Sequence, residues 1–130
     1  MDELPLAKKP RLTAKGRRVK GKKFEREIAA QYRSLGIDDT AQPMPMSGAM
    51  EFHKGDILKK KDNEFVDECK CQETIKLYEW WSQARAQARG LQKPVLHIRK
   101  NYGESLTVMS TDDWFQLRRE LLDYREQLGL

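Results

Sequence analysis

The sequence predicts an α/β domain in which a mixed sheet is flanked by helices. Three observations carry this. An apolar stripe at helical spacing opens the ordered part of the chain. Short apolar runs of strand length follow, interrupted by a second helical stripe. A third such stripe closes the chain. The order is helix, about three strands, helix, two strands, helix. At 130 residues, with 38% hydrophobic and 35% charged residues, the chain suits one domain with a modest core and a highly charged surface.

The first 20 residues are expected to form a disordered basic arm, with the domain spanning 21–130. Pro5, Pro10 and Gly16 interrupt this arm, and it has no apolar period. Residues 1–24 hold nine Lys/Arg against two Asp/Glu, a net of +7, which leaves −2 for the other 106 residues. A basic arm on a mildly acidic body suits a polyanionic partner, most often nucleic acid. A solvated tail that only aids solubility is the plainer reading. Lys8-Lys9-Pro10-Arg11 fits a nuclear-import signal as well as a phosphate-contacting arm. Lys15, Arg17, Arg18, Lys20, Lys22, Lys23 and Arg26 are the candidate phosphate contacts.

From Gly21 to Leu35 the apolar positions Phe24, Ile28, Tyr32 and Leu35 predict a helix, with Gly36 as its stop. Glu25 falls in its first turn, where the helix dipole alone favours an acid. Residues 37–54 are irregular, with a short strand around Thr40–Gln42 and then a loop marked by Pro43, Pro45, Ser47 and Gly48. Met44, Met46 and Met50 fill gaps there or pack on a partner. His53 reads as an exposed, hydrogen-bonded side chain.

Ile57-Leu58 and Phe65–Lys70, separated by the polar tract Lys59–Glu64, predict a β-hairpin with a long loop. Strand alternation puts Glu68 and Lys70 on one face and Phe65, Asp67, Cys69 and Cys71 on the other. Two carboxylates and an amine, with Asp56 across the hairpin, can hold a divalent cation and place a charge beside it. A surface salt-bridge ladder explains the same residues equally well on spacing alone. Cys69 and Cys71 are the only cysteines. They are too few for a disulfide framework or a zinc ribbon and read as reduced thiols in a cytoplasmic protein. The N-terminus lacks the apolar segment of a secretory signal, and no apolar run approaches a membrane span.

A second helix is expected within Gln72–Arg89, with Leu77, Trp81, Ala84 and Ala88 as its stripe. Thr74–Tyr78 could instead extend the strand, with the helix starting near Glu79. Pro94–Ile98 and Ser105–Ser110 read as strands. Ser110 or Thr111 then caps a last helix, with Asp112 and Asp113 in its first turn and an apolar stripe of Trp114, Leu117, Leu121, Tyr124 and Leu128.

Four pieces thus occur in one order: Lys20–Glu27 on the first helix, a Ser47-Gly48 loop, Gly55-Asp56-Ile57, and Glu68-Cys69-Lys70. Over about residues 17–100 this resembles the PD-(D/E)xK nuclease superfamily, and within it the archaeal-type Holliday junction resolvases and their phage relatives. The resemblance implies a restriction-endonuclease-like mixed sheet and a metal-dependent DNA endonuclease. Asp56 and Glu68 would be metal ligands, assisted by the Cys69 carbonyl. Lys70 would be the motif lysine that orients or activates the attacking water, and Glu25 would complete the acidic cluster. Ser47 would match a mobile-loop serine, and Gln83 loosely matches a glutamine of related nucleases. The implied cofactor is Mg²⁺, with Mn²⁺ able to substitute. The implied partners are branched or four-way DNA and a second copy of the chain, with no membrane. The implied location is the cytoplasm, a host's if the chain is phage-encoded. Gly55 departs from the motif's proline. The terminal helix at 112–128 extends beyond the region of resemblance.

Overall fold

The computed structural model describes residues 13–45 and 54–130. Among them are three helices and five strands: α1 (Ala14–Ser34), β1 (Gln42–Pro43), β2 (Ile57–Leu58), β3 (Phe65–Cys71), α2 (Leu77–Gln87), β4 (Lys93–Arg99), β5 (Leu106–Val108) and α3 (Thr111–Gln127). The main sheet has the order β3-β4-β5. β3 and β4 run parallel, in register from Phe65 opposite Lys93 to Cys71 opposite Arg99, with α2 as the crossover. β5 returns antiparallel to β4. This is the expected α/β architecture with a mixed sheet and a C-terminal helix.

The two faces of the sheet are covered separately. On one, Phe24, Ile28 and Ala29 of α1 pack with Ala41, Ile57 and Cys69. On the other, Trp80 and Ala84 of α2 pack with Leu96 and Ile98. Phe24 and Ile28 on α1, and Trp80 and Ala84 on α2, lie four residues apart, which is why these segments fold as helices against a sheet. None of the helices is long and apolar enough to cross a membrane, among the described residues.

Four expectations are corrected. First, α1 begins at Ala14, seven residues before Gly21, so residues 14–20 belong to the helix. Thr13 caps it, its hydroxyl accepting from the Gly16 N–H at 3.0 Å. The apolar stripe starts only at Phe24 because no core lies beneath the earlier turns. Residues 1–12 of the expected arm lie outside the described residues. Second, β2 and β3 are not a hairpin: β2 pairs with β1, and the ladder partner of β3 is β4. The tract between them is held by buried Asp38, whose carboxylate accepts the N–H groups of Thr40, Lys61 and Asp62 at 2.8 Å each. Third, α2 begins at Leu77, and residues 72–76 are neither helix nor strand. Fourth, the short strand near residue 42 is Gln42–Pro43 rather than Thr40–Gln42.

A buried polar knot joins four elements. Asp67 on β3 is 0% exposed. Its Oδ2 accepts from the Tyr32 hydroxyl of α1 at 2.5 Å and lies 2.7 Å from His97 Nε2 of β4. Its Oδ1 is 2.8 Å from the Nζ of Lys59, just after β2, an ion pair with both side chains out of solvent. Lys59 also sits over the Tyr32 ring at 4.4 Å. Burial would raise the Asp67 pKa, but His97 and Lys59 hold it below the ordinary carboxylate value. Asp38 is likewise held low: the Thr40 hydroxyl and the backbone donors outweigh its burial.

Two outcomes follow from the knot. Lys59→Ala leaves Asp67 buried and short of its cation, and is expected to cost about 3–5 kcal/mol in urea unfolding. Both depressed carboxylates give stability that is complete above their unfolded value of 3.8 and is lost as pH falls through their folded values. Thermal melting should therefore drop steeply below pH 3.8, and less steeply in Asp38→Asn.

Candidate active site

The alternation of β3 divides its side chains as expected. Asp67 and Cys69 are buried toward α1, and Glu68 and Lys70 are half-buried on the α2 side. Asp56 reaches this strand from the segment before β2. Its backbone N–H donates to the Asp67 carbonyl at 2.7 Å, and its Oδ2 accepts the Cys69 N–H at 2.7 Å. A residue's N–H and C=O point to the same side of a strand, so the Cys69 carbonyl also faces the Asp56 edge, away from β4.

Gly55 makes this approach possible. Its φ is +90°, and a Cβ built there would lie 2.6 Å from the Asp67 carbonyl oxygen and 2.8 Å from Val66 Cγ1. A proline, fixed near φ −65°, cannot take this conformation, and any side chain would collide with β3. The departure from the motif's proline is therefore a requirement of this backbone.

The electrostatics tie Asp56, Glu68 and Glu25 into one cluster. Burial pushes the Glu68 carboxyl up to about 7, the charge and hydrogen bond of Asp56 and the charge of Glu25 add to this, and Lys70 opposes it. Asp56 is raised by its burial against the Cys69 N–H, Lys70 and Lys22. Glu25 is raised by burial, with Asp56 adding to the rise and Lys22 opposing it. Lys22 Nζ forms an ion pair with Glu25 Oε2 at 3.0 Å.

The convergence of the carboxylates is partial. Asp56 and Glu68 lie near enough for the charge of Asp56 to add to the burial that raises the Glu68 carboxyl. Among the described residues, however, no three His, Cys, Asp or Glu side chains meet at metal-ligand spacing. Like charges repel, and Lys22, three residues earlier on α1, takes Glu25. The set still fits a hard cation. Its donors are all oxygens, and burial pushes the Asp56, Glu68 and Glu25 carboxyls toward their protonated forms, with Asp56 adding to the rise at Glu68 and Glu25.

The other sequence candidates divide. Lys15, Arg17, Arg18, Lys20, Lys22, Lys23 and Arg26 all lie on α1. Arg18, Lys22 and Arg26, spaced at four residues, line a groove of about 510 Å³ together with Glu25. Gln83 is exposed on α2 and takes part in none of the cluster's hydrogen bonds or ion pairs. Ser47 and His53 lie outside the described residues. Sequence reading missed the knot of Lys59, Asp67, His97 and Tyr32. The available signal was an Asp and a His inside apolar strand segments, where a buried polar side chain needs a partner.

An acid, an acid and a lysine gathered at one edge of a mixed α/β sheet define the PD-(D/E)xK class of nuclease. A family model described as phage putative PDDEXK endonuclease matches residues 16–127, and the chain belongs to that family. Nucleases of this class act on DNA and use divalent metal ions. The match extends over α3, so the terminal helix belongs to the family domain and is no appendage to it. Searches of curated proteins and of solved structures found no match.

Gly55→Ala is expected to lose about 1–3 kcal/mol through the strained backbone and to displace Asp56, checked by urea unfolding and by Mn²⁺ affinity. Glu68 gives a pH signature. Its folded pKa is raised, so with EDTA present stability should fall as pH rises from the ordinary 4.5 to about 7. Glu68→Gln should flatten that fall in a melting series.

Proposed function

We propose that the chain is a Mg²⁺-dependent DNA endonuclease, selective for branched DNA such as a four-way junction and acting as a homodimer in the cytoplasm. The observation that carries the hydrolytic reading is the Asp56–Glu68 pair with Lys70 beside it on the same strand face. The preference for branched DNA rests on the resemblance to junction resolvases and on the lack of any base-reading motif, which favours recognition of shape.

Asp56, Glu68 and the Cys69 carbonyl would hold the divalent ion, with Glu25 contributing directly or through water. The bound ion would supply Lewis acidity and lower the pKa of water for attack on phosphorus. Lys70, a compact cation two residues from Glu68, offsets the charge that develops on the phosphoryl oxygens and orients the water. The Cys69 N–H fixes the Asp56 carboxylate, leaving its other oxygen free for the ion. The basic groove on α1 leads the phosphate backbone toward Glu25, and Lys22 bridges the two functions: it neutralises Glu25 and faces the incoming strand.

The deciding experiment incubates a labelled four-way junction, a nicked duplex and a linear duplex with the protein in Mg²⁺ or EDTA. Paired nicks in the junction that require the metal are expected; metal-independent cutting or none would overturn the reading. Asp56→Asn, Glu68→Gln and Lys70→Met should each reduce cleavage by more than about 100-fold, with junction binding retained in gel-shift assays. Arg18→Ala/Arg26→Ala should weaken binding and flatten its dependence on salt, because fewer counterions are released.

A further inference from the structure

α3 contributes no buried residue, although an apolar stripe runs along it. Trp114, Leu121, Tyr124 and Leu128 are 51%, 43%, 61% and 57% exposed. With half-buried Leu117 they follow a three-four-three-four spacing, the a and d positions of a heptad seam. Asp113 and Leu117 are half-buried and the rest of α3 is exposed, with Gln116 lining a hollow together with Asn63, Glu64, Leu91, Gln92 and Lys93.

We propose that α3 pairs with α3 of a second copy as a parallel two-stranded coil. The charges flanking the seam decide both the occupant and the direction. With Trp114 at a, Asp113 and Glu120 fall at g, and Arg118 and Arg125 at e. In a parallel pair, each g position faces the e position five residues further along the other helix. Asp113 then meets Arg118 of the second copy, and Glu120 meets Arg125 of the second copy, giving four opposite-charge contacts per dimer. An antiparallel pair sets e against e and g against g, so Arg118 meets Arg125 and Glu120 meets Glu120. Among the described residues Asp113, Arg118 and Arg125 enter no ion pair, and Glu120 accepts only from Gln116 at 3.1 Å. The seam is therefore self-complementary in one direction and self-repelling in the other.

The placement is compatible with catalysis. Gln116 of α3 shares a hollow with Asn63, Glu64, Leu91, Gln92 and Lys93 at the start of β3 and β4, whereas Asp56 meets β3 further along, at Asp67 and Cys69. This deepens the homodimer of the proposed function by naming its surface, and it stands or falls independently of the nuclease chemistry.

The test is sedimentation equilibrium of the full chain and of helix variants, with circular dichroism to confirm folding. The native chain is expected to be a dimer and Leu121→Glu/Tyr124→Glu a monomer. Glu120→Arg should weaken association at least tenfold, whereas in an antiparallel pair it only exchanges a Glu120–Glu120 repulsion for an equal one, and Glu120→Arg/Arg125→Glu should restore it. Leu128→Cys should cross-link to itself under mild oxidation, with the native chain as the control for Cys69 and Cys71. A native chain that stays monomeric to roughly 100 μM, a dimer indifferent to Leu121→Glu/Tyr124→Glu, or failure of the charge swap would each overturn the proposal. Unpaired nicking of the four-way junction by the monomeric variant separates this outcome from a failure of the nuclease reading: cutting that persists leaves the chemistry standing without the seam.

Discussion

One buried carboxylate holds the molecule in register. Asp67 has no access to water, and its three partners come from α1, from the residue after β2, and from β4. Taking a carboxylate and an ammonium out of water is costly, so the arrangement persists only because every partner is in place. Its backbone carbonyl, on the same residue, receives the N–H of Asp56. The inward side chain of Asp67 thus anchors the strand whose outward neighbour, Glu68, meets Asp56. The knot and the acidic cluster are the two faces of three consecutive residues.

That arrangement sets the character of the cluster. Burial raises three carboxyls, the charge of Asp56 adds to this at Glu68 and Glu25, and the cations nearest them, Lys22 and Lys70, only partly relieve it. The strain is electrostatic, and it is the kind a divalent ion removes most directly. Around it the surface is basic along α1, so a polyanion is drawn to a place where its own charge would otherwise be repelled.

Much of this was legible in the sequence. The alternation in Phe65–Cys71 placed Glu68 and Lys70 on one face, and the stripe from Phe24 to Tyr32 placed α1 on the sheet. The hairpin was not legible because two short apolar runs around a polar tract look alike whether or not they pair. What decided the pairing was Asp38, gathering backbone donors from 23 and 24 residues away. Lys59 stands first in a run of three lysines, and nothing in such a run says which one turns inward. The start of α1 was hidden for another reason: its first turns touch no core, so they carry charge without periodicity, and only the Thr13 cap marks them. The apolar period of α3 was plain, but period alone does not say whether a helix is covered by its own body.

The parallel pairing of β3 with β4 has a further consequence. Every proposed catalytic side chain lies within the first 70 residues, yet the strand that carries Glu68 and Lys70 gains its ladder partner only at Lys93. A chain emerging from the ribosome would hold all its reactive groups well before it could arrange them. The strand that carries Glu68 and Lys70 is therefore completed against its ladder partner only after synthesis has passed β4.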